Sequence, residues 1–284
     1  MKELRTQKKG GAGKRAAEKI VWWVVKIFAS LVIILPVRCL SRFGKIIGKL
    51  SFICLNKRKD IALKNLRFTI GAESKEAEIR VILKQSLQNF AISVIELLFL
   101  FSKKNNSRAL RFIEENIELD GKEFLDKALL HRKGIIAFSA HLGNFPLIGP
   151  KLRSLGYSFA VLVRNPENQR LANFLSSMRD QMDIESILDK PKNLAAQKSL
   201  KCLRENGILF LQTDQHTSRN EAWVSFFGWN IPTYKGPVVL ALRTKAPILP
   251  IFIVRTEGLR HKIVIHPPVS LSISDNKNND IEKN

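Results

Sequence analysis

From about residue 109 to residue 272, short apolar runs of β type alternate with stretches of helical period. That order leaves little room for anything but an α/β domain. The strand-like runs are 134–140, 159–163, 184–188, 208–212, 223–227, 248–254 and 262–266. The helical ones are 121–131, 145–155, 167–182, 193–206 and 235–244. A parallel pair of strands needs a long crossover, and a helix between them supplies it. The sequence therefore predicts a mixed, largely parallel sheet flanked by helices, with working side chains at the carboxyl ends of its strands.

The chain ahead of this domain is of another kind. Residues 1–18 are basic and glycine-containing, and are predicted to be disordered or to lie on an anionic surface. Gly13 and Lys14 match part of a phosphate-binding loop. However, Lys8 stands where its first glycine belongs, Arg15 replaces the hydroxyl residue, and no strand precedes it. Residues 19–40 contain the apolar run 20–36, about the shortest that crosses a bilayer. Lys26 in its middle would cost ~2.5–3.5 kcal/mol there unless it snorkels, while Trp22 and Trp23 suit the headgroup boundary. No small-residue cleavage site follows, so the run reads as a retained membrane anchor. Basic residues flank it on both sides, so charge leaves open whether it crosses or enters one leaflet. Residues 41–108 are predicted to form a helical, membrane-proximal region, in which Ser41 to Lys64 interleave basic and apolar positions. Within them 91–101 is apolar but short and interrupted by Glu96, which suggests a core or surface-docking helix. Residues 273–284 read as a polar, disordered tail.

The 284 residues carry 47 basic against 25 acidic side chains, a formal charge of +22. Partners bearing phosphate or carboxylate are favoured: an anionic membrane, an acidic protein or a nucleic acid. Nucleic acid ranks last, because no binding module is recognisable and the basic residues crowd the membrane-proximal half. The three cysteines (Cys39, Cys54, Cys202) are scattered, which fits buried thiols in a reducing compartment rather than a disulfide framework.

Five histidines are present, and none has metal-binding spacing, so no metal site is expected. His131 ends a predicted helix, His216 lies in a polar loop, and His261 and His266 flank a late strand; all four read as structural or solvated. His141 differs. It leaves the apolar run 135–140 and is followed by Leu142, Gly143, Asn144, Phe145 and Pro146. Rigid backbone holds a histidine so placed while its ring faces a cleft, which suits proton transfer. Further along, Arg164 ends one strand-like run and Asp214 follows another. The stretch Trp223–Gly228 leads to Ile231–Pro237, and Arg255 closes the run from Ile248. The competing readings are a satisfied core histidine, surface ion pairs for the arginines and a loop cap for Asp214.

In that order these residues resemble the late acyltransferases of lipid A biosynthesis, within the wider lysophospholipid acyltransferase superfamily. The similarity runs from the apolar helix ending in Leu35-Pro36, through Ala62–Leu66, to about Pro268. The resemblance implies transfer of a fatty acyl group from a thioester, usually on acyl carrier protein, to a hydroxyl of a lipid A precursor or related phosphorylated lipid. It further implies a protein attached to the bacterial inner membrane with its catalytic domain on the cytoplasmic side. In the family a His-x-x-x-x-Asp/Glu motif supplies the base that deprotonates the acceptor, and His141 matches the histidine. Pro146 stands where the carboxylate belongs. Asp214 is one candidate to replace it; the alternatives are an impaired or non-catalytic lipid-binding relative, or a degenerate copy. The family usually carries a further C-terminal helical region where this chain has its polar tail. By the same resemblance Gly143 and Asn144 would lie near the thioester oxygen. Arg164 and Arg255 would meet phosphate or the developing oxyanion. Gly228 and Thr233 would lie on the phosphate side, with Phe226 and Phe227 read as core.

Overall fold

Seven strands form one sheet in the order β1-β9-β8-β2-β5-β3-β4, with helices on both faces. The computed structural model describes residues 22–23, 26–100, 106–215, 221–274, 280–281 and 283–284. The expectation of disorder for residues 1–18 and the reading of His216 both lie outside the described residues.

The N-terminal region is helical. Helix α1 covers 26–34 and ends at Pro36, whose extended backbone starts α2 (Val37–Cys54). Helix α1 buries Val32 and stacks Phe28 on Phe43, while Ile27, Leu31 and Ile34 remain exposed along one stripe; Trp23, ahead of it, is exposed as well. Helices α3 (Asn56–Ile70) and α4 (Glu76–Leu100) follow. α2 lies tightly against α4, because Gly44 and Gly48 let it approach the backbone of Ile92 and Gln88, where any Cβ would collide. By length and composition α4 could cross a membrane. Its C-terminal half buries Ile92, Ile95, Phe99 and Leu100, with Glu96 fully enclosed among them, so that half packs into the core.

Helix α5 (Asn106–Asn116) leads into β1 (Ile117–Asp120), α6 (Lys122–Leu130) and β2 (Ile135–Ser139). A 3-10 turn (Phe145–Leu147) and α7 (Ile148–Ser154) precede β3 (Phe159–Val163), α8 (Gln169–Asp180), β4 (Glu185–Leu188), α9 (Lys192–Arg204) and β5 (Ile208–Gln212). An antiparallel hairpin, β6 (Glu221–Phe226) and β7 (Trp229–Tyr234), comes next. Then follow α10 (Gly236–Thr244), β8 (Ile248–Arg255) and β9 (His261–Ile265). Strands β8, β2, β5, β3 and β4 run parallel; β9 pairs antiparallel to β8 and carries β1 beside it.

Both faces of the sheet are covered. Along β2, Ile135 and Ala137 pack into one cluster with Ile208, Phe210 and Leu249; Ile136 packs into the other with Leu209 and Ile248. Each such isoleucine contributes roughly 1.5–3 kcal/mol by leaving water. Near-continuous apolar strands of this kind mark a two-sided parallel sheet.

The strand and helix expectations hold with shifts of a few residues at their ends. Two further strands carry no clear signal in the sequence. β1 has too few residues to show a period, and β7 contains Pro232, which argues against a strand unless both edges of the ribbon are free, as in this hairpin. Part of the C-terminal tail is ordered: Asp280 is buried and accepts bonds from Ser274, and Asn284 pairs with Ser272. Cys202 is buried, with its thiol pushed up to about 12, whereas Cys54 is exposed rather than buried.

Candidate active site

Strand register creates the centre of the site. β2 pairs with β5 so that Ser139 stands opposite Gln212. Two residues beyond each, the same register sets His141 beside Asp214 at the carboxyl edge. Asp214 Oδ1 lies 2.7 Å from His141 Nδ1, and Oδ2 accepts the His141 backbone N–H at 2.8 Å. A carboxylate on Nδ1 assigns the ring proton to that nitrogen and leaves the lone pair on Nε2. The Gln215 amide nitrogen sits 3.2 Å from Nε2 and donates to it. Phe145 meets the imidazole edge-on, with ring centroids 4.8 Å apart. The side chains of the pair are 35% and 37% exposed, so the ring is open to an incoming molecule. Burial works against charge on Asp214, but the bonds from the His141 ring and backbone outweigh it and hold the carboxyl below its ordinary value.

The loop behind His141 is fastened from below. Gly143 has φ +60, and a Cβ there would run into the Ile253 carbonyl oxygen of β8. Its role is thus close contact with the neighbouring strand. Asn144 is buried and donates to Glu96 Oε2 at 2.7 Å. Arg255 Nη1 and Nη2 donate to the two Glu96 oxygens at 2.5 and 2.8 Å, and His261 Nε2 lies 3.2 Å from both. Glu96 is wholly enclosed. Burial alone would raise its carboxyl, but Arg255 and His261 more than compensate and bring it below the ordinary range.

Two sequence expectations change here. Asn144 and Arg255 do not present free donors beside His141; both spend them on a buried carboxylate, because an enclosed charge must be paired. Arg164 does stand exposed at the exit of β3, its Nε 3.0 Å from Asp189 at the exit of β4. The stretch read as the phosphate side is a two-stranded ribbon of its own. It forms the β6–β7 hairpin, with Gly228 at the turn (φ +76) and Thr233 opposite Ala222. Phe226 and Phe227 are exposed there, not core. Pro146 lies in the first turn after the loop, where a missing N–H costs nothing.

Sequence reasoning overlooked Glu96 and His261 as partners, and Gln215. A lone acid in the apolar run 91–101 was the available signal, since a buried carboxylate requires a cation nearby. An open depression of about 590 Å³ among Asp126, Arg132, Arg204 and Asn206 lies at the opposite, amino edge of the sheet, away from the pair.

Fold and site define an α/β protein whose parallel sheet carries an oriented, solvent-facing imidazole at its carboxyl edge. The chain belongs to the bacterial lipid A biosynthesis acyltransferase family, whose model matches residues 11–283. No curated protein matches the sequence. Membership agrees with the order of motifs on which the resemblance rested.

Proposed function

We propose that the protein moves a fatty acyl group from an acyl thioester, carried by acyl carrier protein, to a hydroxyl of a lipid A precursor or related phosphorylated lipid. His141 acts as general base and Asp214 orients it. The observation that carries this reading is the 2.7 Å contact between Asp214 Oδ1 and His141 Nδ1. It puts the free lone pair on Nε2, where the Gln215 amide now sits and where an acceptor hydroxyl would take its place.

The chemistry balances without a cofactor. Nε2 takes the hydroxyl proton as the alcohol oxygen bonds to the thioester carbonyl carbon. The tetrahedral intermediate expels the thiolate, breaking the C–S bond, and the imidazolium returns the proton to sulfur. Asp214 stabilises the imidazolium formed on the way. Arg164, exposed at the next strand exit, is the candidate for the acceptor's phosphate. Gly143, Asn144 and Arg255 shape the loop that holds His141, while Gly228 and Thr233 belong to the adjoining hairpin.

The exposed stripe Ile27, Leu31 and Ile34, with Trp23 exposed ahead of it, supports attachment to the inner membrane through α1. Its opposite face packs on the protein, which favours a helix lying in one leaflet over a crossing one. The formal charge of +22 suits an acidic carrier and anionic lipid on the cytoplasmic side. The runner-up, a non-catalytic lipid binder, rested on Pro146; a carboxylate already on Nδ1 argues against it.

Acyl transfer to a phosphorylated lipid A precursor, measured with carrier-protein and coenzyme A thioesters in parallel, tests the proposal. His141→Ala should cut turnover ~10²–10⁴-fold while the fold is retained. Wild-type turnover in that variant would sink the assignment of the base.

A further inference from the structure

The β6–β7 hairpin departs from what its sequence would have to do in water alone. Its turn residues Phe227 and Gly228 both have positive φ, +50 and +76. Such two-residue turns favour Asn-Gly, and a bulky aromatic in the left-handed region is an outlier. Here that outlier sets an aromatic ring at the tip. Trp223, Phe226, Phe227 and Trp229 are 65%, 57%, 56% and 54% exposed, and a Cβ added to Gly228 meets nothing. Against the hairpin lies the end of α3, where Phe68 packs on Trp229 with centroids 4.7 Å apart. The same exposed face of α3 carries Lys57, Ile61 and Lys64 at helical spacing, and neither lysine meets a carboxylate among the described residues.

We propose that this hairpin is a second membrane contact, its aromatic tip entering the headgroup region of an anionic bilayer while the lysines of α3 lie over the lipid phosphates. Lysine is depleted from protein–protein interfaces, whereas aromatic tips bordered by lysine suit the boundary of an anionic membrane. The chain's charge has the complementary sign. Only five undescribed residues separate Gln215 from β6, so the hairpin rises from the strand exit that carries Asp214. Its insertion would bring His141 to the level of the acceptor's hydroxyls. That consequence rests on the acyl-transfer reading; the membrane contact does not.

The sequence has four tryptophans, so the full chain bearing W22F/W23F keeps only Trp223 and Trp229, both on the hairpin. The variant is bound to vesicles of phosphatidylcholine with phosphatidylglycerol, with and without brominated acyl chains. The expected result is that bromolipid lowers the fluorescence by roughly half or more, as for rings seated at the acyl boundary. Adding F226S/F227N should remove most of that quenching. In an otherwise wild-type chain the same pair should lower transfer to acceptor in vesicles about ten- to a hundredfold, the scale of two half-buried rings, and leave transfer to detergent-dispersed acceptor unchanged. Unquenched tryptophans in vesicle-bound protein overturn the proposal. So does a change from dimer to monomer on F226S/F227N without quenching in the parent, which would assign the tip to a second copy. A wild-type chain inactive with both forms of acceptor refutes the acyl-transfer reading, while quenching still decides the hairpin.

Discussion

Replacing Glu96 by glutamine should unfold this protein more readily than almost any other substitution of equal size. The carboxylate is fully enclosed and takes two bonds from Arg255, one from Asn144 and one from His261. The glutamine has nearly the same shape, so no cavity forms, but it leaves the Arg255 cation without a counter-charge. Breaking a buried pair by removing one partner costs ~3–5 kcal/mol. Arg255 retains bonds to Ser93 Oγ and the Gly258 carbonyl, at 3.1 and 3.0 Å, and is 12% exposed. The expected loss therefore lies at the lower end, about 3 kcal/mol. Urea unfolding followed by circular dichroism would record it as a fall in midpoint of about 1 M, for a slope of about 3 kcal/mol per M. The double variant E96L/R255M should be less destabilised than E96Q, since an apolar pair removes both charges together. The pH dependence carries the same signature. Glu96 is held below its ordinary value, so its contribution is complete above the unfolded carboxylate range near pH 4.3 and is lost as pH falls through the lower folded value. The E96Q protein should lack that part of the acid limb. A midpoint shift worth less than about 1 kcal/mol, or a double variant weaker than the single, would refute the view that this charge is held by its partners.

Asp214→Asn should leave the fold intact and cost acyl transfer about 10²–10⁴-fold, because an amide in place of the carboxylate no longer favours the productive tautomer; a loss under threefold would separate Asp214 from the chemistry. Asp214 is also held below its ordinary value, so any stability it adds is present above pH ~4 and fades on acidification below it, a limb that D214N should lose in acid titration. Gly143→Ala meets both a positive φ and the Ile253 carbonyl, and should destabilise by at least ~1–3 kcal/mol in urea unfolding. Pro146→Glu should not raise turnover, because Asp214 already occupies Nδ1 and Pro146 starts a helical turn; a severalfold gain would show that the missing motif carboxylate limits the enzyme.

How far the sequence reveals this site depends on whether a feature is local. β2 and β5 announce themselves as unbroken apolar runs, and His141 and Asp214 follow their last residues. Nothing in either run says that the two strands are neighbours. Adjacency arises from the crossovers through α7, α8 and α9, which also interpose β3 and β4 in the chain. Asp214 could therefore be named from sequence only as one option. The roles of Asn144 and Arg255 were illegible for the converse reason. Their polar groups point at a helix residue far away in sequence, Glu96, and a pattern of polar types cannot say whether a donor serves a ligand or a buried acid. Phe226 and Phe227 mislead in a third way. Apolar composition predicts burial, but a two-residue turn between free strands has no layer to bury them against.

The displaced carboxylate follows from the same topology. In the His-x-x-x-x-Asp/Glu motif of the resemblance the acid follows the histidine with four residues between them. In this chain that loop is held from beneath by Gly143 against β8 and Asn144 against α4, and Pro146 begins its exit helix. Position 146 has no carboxylate to offer, and Phe145 beside it sets its ring edge-on to the imidazole. The carboxylate on the imidazole comes instead from just beyond β5. It arrives through the parallel register that holds the sheet together, and grips the His141 backbone as well as its ring. Orientation of the proposed base then depends on strand pairing at the centre of the core, so a substitution that shifts β5 against β2 should disturb activity before it unfolds the protein.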